Sequence, residues 1–257
     1  MDGADENGKR VIEKAKRGFE AALFAENYDQ IHSDAKHLAA LLMLCEFVEG
    51  KHYLDLGTGN GYVAFEMAKQ SPNVFVTGID IVAKAIESNN QKARTEQFHN
   101  LSFSEYRGMA LPFEDRKFLS VLSRYAFHHF PDPLFSAKEI HRVIEDGGFC
   151  IIADAVPDGI DSVDFINRFA GLKDDGHVRF YSKEEIESIF EKAGFRVEEQ
   201  TTSSITFPRR LTTEYRQLVE QMPQKILEAY RMVIDENLIY LTVGVLNTRF
   251  RRSKFVR

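Results

Sequence analysis

Three glycines and two carboxylates carry the plainest chemistry in this chain. The segment Tyr53-Leu54-Asp55-Leu56-Gly57-Thr58-Gly59-Asn60-Gly61 joins an apolar strand pattern to a helical one. Glycine at such a junction lets the backbone turn tightly and lets a ligand approach without a side chain in the way. The start of the following helix offers N–H groups that no helix carbonyl accepts. Asp80 closes the next strand pattern, 21 residues after Gly59, where a carboxylate can accept hydrogen bonds from both hydroxyls of a ribose. These features point to a ligand that contains a nucleoside. A dinucleotide site carries G-x-G-x-x-G. Here Tyr62 stands at the third glycine position, the spacing is G-x-G-x-G, and Asp55 precedes it by two residues. A carboxylate beside a pyrophosphate is unfavourable, but it suits a ligand with a cationic amine. Each group also has a purely structural use: Asp55 can cap the loop, the glycines can simply turn it, and Asp80 can cap the next helix.

The run D-x-G-x-G-x-G from Asp55 to Gly61 resembles the first motif of class I S-adenosylmethionine-dependent methyltransferases. Gly78-Ile79-Asp80 resembles the second. Ala110-Leu111-Pro112-Phe113, the segment from Ser123 to Pro133, and Ile140-His141-Arg142-Val143-Ile144 with Gly147-Gly148 resemble later segments of the small-molecule subgroup, in the same order. Ubiquinone/menaquinone-type C-methyltransferases are the relatives in kind. The resemblance implies S-adenosylmethionine as cofactor and methyl transfer to a small-molecule acceptor. It implies cofactor contacts from Tyr28, Asp55, Gly57, Thr58, Gly59, Gly61, Asp80, Ile81, Gly108, Met109 and Arg124. Tyr28, with His32, would form a lid. One departure is that Arg107 stands where the subgroup has an acid near the adenine, which leaves Gly108 and Met109 to hold that ring. Two alternatives remain: an NAD(P)-dependent oxidoreductase, against which the glycine spacing counts, and a non-catalytic S-adenosylmethionine-binding protein.

His128 and His129 follow the fourth strand pattern, at the sheet edge where the transferred methyl should sit. His129 is the preferred catalytic residue, because two positions after Phe127 it shares that side chain's face of an extended backbone. No metal site is expected, since neighbouring side chains of a strand point apart and no further ligand has the spacing. His177, Arg179 and Tyr181 could line an acceptor pocket. Arg249, Arg251, Arg252, Lys254 and Arg257 read as a solvated tail.

The elements that must position these residues alternate. Residues 1–10 read as a frayed tail and helices follow over 11–25 and 34–49. Strands at 52–56, 73–79, 101–106, 118–122 and 149–156 then alternate with helices at 62–69, 82–98 and 131–144, where Gly147-Gly148 ends the last helix before its strand. Such alternation predicts an α/β fold, a doubly wound, mostly parallel sheet covered by helices on both faces. Helices over 161–172 and 182–193 are followed by a strand at 195–207. Helices at 210–220 and 224–233 and a last strand at 238–250 complete the pattern, with an antiparallel C-terminal edge. The domain reading is a helical cap over 1–50 and a methyltransferase domain over 51–257, with a helical insertion at about 157–182.

Composition excludes several classes. The 257 residues are 44% hydrophobic and 28% charged, which is globular rather than disordered or low-complexity. No stretch reaches the ~20 apolar residues of a membrane helix, and the polar first ten residues are not a secretory signal. A net charge of −6 argues against nucleic acid as partner. Two cysteines, Cys45 and Cys150, rule out a disulfide scaffold. A cytoplasmic enzyme without membrane contact is expected.

Overall fold

The computed structural model describes residues 6–23 and 34–253. Tyr28, His32, Lys254 and Arg257 lie outside them. Among the described residues eight strands form one sheet: β1 His52–Leu56, β2 Phe75–Asp80, β3 Leu101–Glu105, β4 Phe118–Arg124, β5 Ile144–Val156, β6 Phe195–Arg210, β7 Val233–Asp235 and β8 Leu238–Arg252. Their order is β3-β2-β1-β4-β5-β8-β6, with β7 paired to β8. The first five strands are parallel, and β8 runs antiparallel between β5 and β6. The chain steps outward from β1 to β3 and then crosses to β4 on the other side. The carboxyl ends of β1 and β4 therefore flank a crevice where strand order reverses.

Helices α3 Tyr62–Ala68, α4 Ala83–Thr95, α5 Pro133–Val143 and α7 Lys183–Lys192 lie among two cores. Strand alternation separates the cores: Leu54 and Leu56 enter one with Phe118, Phe127, Phe190 and Phe250, while Tyr53 enters the other with Phe65, Phe103, Phe149 and Leu41. A third core is distal. It joins α6 Phe165–Gly171, α8 Thr213–Glu220 and α9 Gln224–Ala229 to the far halves of β6 and β8 through Phe169, Tyr215, Ile226 and Leu241.

Several boundaries differ from the sequence reading, each for a local reason. Helix α1, Glu6–Leu23, begins inside the supposed frayed tail. Helix α2, Ala35–Met43, stops well before residue 49. The Tyr53 hydroxyl donates to the Glu46 carbonyl at 2.8 Å and accepts from Val48 N–H at 2.7 Å, backbone groups that a longer helix would have used itself. Gly147 and Gly148 lie within β5, which starts at Ile144 opposite Phe118, with a register shift before Ser120. Of residues 157–182 only α6 is helical, and its first turn is held by Asp161, whose carboxylate accepts from Phe165 and Ile166 N–H. The arginines read as a solvated tail belong to β8. Arg249 lies 4.0 Å over the Phe149 ring and pairs with Glu46 and Glu198. Arg252 donates to the Ile144 carbonyl and to Asp146. A guanidinium can cover an aromatic face with its flat side and keep its edge paired, so basic residues on a strand need not be solvated.

Candidate functional site

The glycine loop is built from its backbone. Gly57 has φ +77°, and a Cβ there would stand 2.5 Å from the Ala126 Cβ, so only glycine fits both conformation and space. Gly61, at φ +78°, opens α3, and a Cβ on it would meet the Phe65 ring at 2.8 Å. Asp55 Oδ2 accepts from the Thr58 hydroxyl at 2.6 Å and from Ala64 N–H at 3.1 Å. Asp80 accepts from Gly59 N–H at 2.9 Å and from Val82 N–H at 3.0 Å. One carboxylate thus braces the loop from inside and the other ties it to the start of α4. Burial pushes the Asp55 carboxyl up to about 6 and raises Asp80 in the same direction.

A cavity of about 410 Å³ opens over this loop, within the size range of small-molecule sites. Asp55, Gly57, Thr58, Gly59, Asp80, Ile81, Gly108, Arg124 and His129 all line it. Gly61 and Met109 do not: the first packs under the loop, and the second is buried behind Gly108. Arg124, at the end of β4, donates from Nε to His37 Nδ1 at 3.1 Å and lies 4.3 Å over Tyr125. His37 Nε2 then faces Asn247 Oδ1 at 2.8 Å, so Arg124 is tied through α2 to β8.

Sequence reasoning missed three parts of the wall. Helix α1 lays Ile12, Ala15 and Phe19 on the cavity and is fastened by Lys14–Asp174 and Lys16–Glu105 ion pairs. Tyr106 reaches it from the loop after β3, and Phe207, Pro208, Arg209 and Arg210 come from β6. The apolar period of α1 was visible, but what it covers was not.

The histidine pair is arranged differently from the extended geometry assumed for it. Phe127–His129 is a single 3-10 turn. Phe127 points into the core against Phe190, with ring centres 5.4 Å apart, whereas the two imidazoles approach to 4.1 Å. His129 is packed edge-on against Phe19 at 4.8 Å, and its Nδ1 is buried with no hydrogen-bond partner. Burial first, and the neighbouring His128 second, push its pKa well below the usual value. His128 instead meets the carboxylate of Asp154, on β5. Nδ1 lies 2.6 Å from Oδ1 and the His128 N–H donates to Oδ2 at 2.8 Å, while Ala155 N–H also donates to Oδ1. An ionised carboxylate only accepts, so Nδ1 carries the proton and Nε2 is the basic nitrogen. His128 lines the cavity. Among the described residues no group of three or more His, Cys, Asp or Glu is placed to hold a metal.

Comparison with known proteins places this geometry. A family profile described as "Methyltransferase domain" matches residues 47–194, more than half the chain. The chain belongs to the methyltransferase-domain family. Its methyl donor is S-adenosylmethionine. Among curated relatives, the uncharacterized methyltransferase YcgJ of Bacillus subtilis is 27% identical over 169 residues, which cover 65% of this chain and 66% of that one, just under two thirds. A demethylmenaquinone methyltransferase of Chlorobaculum tepidum is 26% identical over 191 residues, 74% of this chain and 72% of the relative. The solved YcgJ structure from Bacillus subtilis superimposes with a TM-score of 0.74 at 20% identity, over 86% of this chain and all of that one, a likeness of fold.

The methyltransferase site fits that donor on its own geometry. Asp80, held by Gly59 N–H and Val82 N–H, lines the cavity and is the carboxylate available to a ribose diol. Ile81, Val82, Tyr106 and Gly108 line the same cavity and offer apolar surface to a purine. Asp55, also on the cavity wall, is the carboxylate available to an ammonium group. This last point has a pH signature. The Asp55 carboxyl, at about 6, lies above the ~3.9 of an unfolded chain. Its contribution to stability is therefore complete below about pH 4 and lost as pH rises through about 6. A bound ammonium favours the ionised form instead. S-adenosylhomocysteine, which carries the same ammonium, should bind more tightly as pH rises from about 5 to about 7. In titration calorimetry across that range, Asp55→Asn should flatten the dependence, and an unchanged slope would assign it to Asp80.

Proposed function

We propose that this chain transfers a methyl group from S-adenosylmethionine to a small-molecule acceptor, with His128 as the base that takes a proton from the acceptor. The observation that supports this most directly is the Asp154–His128 pair at 2.6 Å, set on the same cavity as the glycine loop and Asp80. When bound, S-adenosylmethionine supplies an electrophilic methyl on a sulfonium, which departs as a neutral thioether. The chain's tasks are alignment, exclusion of water and proton acceptance. Gly57, Thr58, Gly59 and Asp80 hold the nucleoside half, and Asp55 faces the amino-acid half. Arg124 fixes the end of β4. Helix α1, with Ile12 and Phe19, covers the crevice and keeps water from the reacting atoms. Asp154 holds the His128 ring so that Nε2 faces the cavity as acceptor, and it steadies the imidazolium once the proton has moved.

The relatives named for demethylmenaquinone make a quinol-type acceptor one member of the class. The largely apolar walls favour a small molecule over nucleic acid. Two thiols without a disulfide suit a reducing, cytoplasmic setting. None of the described helices is long and apolar enough to cross a membrane.

The donor reading is tested by stabilisation. A ligand that binds only the folded state raises its melting temperature. S-adenosylhomocysteine should do so and NAD should not. The Asp80→Ala variant should lose about 1–3 kcal/mol of that binding while keeping its far-UV spectrum. A shift with NAD and none with S-adenosylhomocysteine would overturn the reading. Unchanged affinity in the folded variant would reduce Asp80 to the tie between loop and α4.

A further inference from the structure

The cavity continues past the donor half into a region walled by Phe19, Phe180, Ile205 and Phe207. Its charges do not balance. Asp175 is neutralised by Lys173, whose Nζ lies 2.8 Å away, and Asp154 is engaged by His128. Burial pushes His177 down to about 4 and holds His129 low, so both imidazoles are neutral at physiological pH. Two guanidiniums remain. Arg210 stands exposed at the rim. Arg209 is partly buried on the cavity wall, stacked 4.5 Å over Phe207, with Nη1 donating to the Pro208 carbonyl at 2.9 Å. Its Nε is fully buried and makes no hydrogen bond, and neither does the Tyr215 hydroxyl near it. Among the described residues no carboxylate lies within ion-pair distance of Arg209. Burial lowers the pKa of Arg209, and Asp175 and the adjacent Tyr215 hydroxyl offset only part of that penalty.

A buried cation without a counter-ion is costly, and a guanidinium presents its donors in a planar fork that matches a carboxylate. The surrounding rings supply apolar contact and no acceptor. We propose that the methyl acceptor is an apolar molecule bearing a carboxylate, and that Arg209 binds that carboxylate. The inference rests on the reading that the opposite end of the cavity holds S-adenosylmethionine. It places the anion across the pocket from the glycine loop, so that the body of the acceptor spans from Arg209 to His128.

The probes are 2-naphthoate and 2-naphthamide, matched in shape and different in charge. Each is titrated into the full chain saturated with S-adenosylhomocysteine, and binding is read by calorimetry. The carboxylate should bind at least about tenfold more tightly than the amide, as a charge-assisted hydrogen bond allows. The preference should vanish in Arg209→Met and survive in Arg210→Gln. Equal binding of the two probes, binding of neither, or a preference that persists in Arg209→Met overturns the proposal. If Arg209→Met fails to fold, the comparison of the two probes on the unaltered chain still decides it. S-adenosylhomocysteine titrated alone separates the two levels. If it does not bind, the donor reading has failed; if it binds and the carboxylate preference is absent, only the Arg209 assignment has failed.

Discussion

Turnover of the His128→Gln variant falls by about 100-fold or more at saturating donor with an acceptor that must lose a proton, the usual worth of a positioned general base. Glutamine keeps polar atoms near Asp154 but has no basic nitrogen, so donor affinity should stay close to that of the unaltered chain. Single-turnover kinetics with radiolabelled methyl separate the two quantities. His129→Gln is the companion measurement, because His129 lies on the same turn with its ring buried against Phe19. A large rate loss in His129→Gln and a small one in His128→Gln would return the catalytic role to the residue favoured by sequence. Asp154→Asn should reproduce much of the His128 loss, since an amide no longer dictates which imidazole nitrogen carries the proton. If both histidine variants keep the full rate, neither imidazole acts as a base, and the chain transfers the methyl by alignment and exclusion of water alone.

Phe190→Ala destabilises the fold by about 3–5 kcal/mol, the range for emptying a buried aromatic site. Phe190, on α7, is fully buried between Phe127, Phe195 and Phe250. Three other rings frame the hole, and rings cannot collapse into it as a flexible side chain could. Urea unfolding should show a lower midpoint with an unchanged slope. Because Phe127 leads directly into the His128 turn, the surviving folded fraction should also show a reduced rate. A loss below about 1 kcal/mol would mean that the neighbouring rings repack into the space, against the close packing expected of a protein interior.

The parts of the site legible in the sequence are those fixed by local backbone demands. The glycine loop, the acid after β2 and the alternation of strand and helix each follow from φ preferences or from periodicity, and both operate within a few residues. Ser182 and Glu185 likewise form a capping box at the start of α7, a demand met within four residues. What escaped notice depends on partners distant in sequence. Asp154 reads as one polar residue in an apolar strand until β5 brings it beside His128, 26 positions earlier. Arg209 looks like half of a basic doublet at the end of β6 until the cavity closes around it. The faces of His128 and His129 were misassigned because an extended backbone was assumed where the chain makes a tight turn, and the side-chain period changes with the backbone. The arginines of β8 differ from the solvated tail expected of them because a run of charge carries no sign of the Phe149 ring beneath Arg249.

The division of the sheet into parallel and antiparallel halves bears on how such a chain diversifies. On the proposed function the donor is gripped by short loops at the ends of β1, β2 and β4, and in the first of these an added Cβ on Gly57 or Gly61 would collide with its neighbour. The acceptor wall comes instead from β6, α1 and the segment before α7, and the far half of β6 rests on the separate distal core. Inheritance can therefore rewrite one wall while the other stays as it is. On that proposal, substitutions at Ile205, Phe207 or Arg209 would alter which molecule is accepted without disturbing the grip on the donor, so a lineage could acquire new acceptors in single steps and remain a working enzyme throughout.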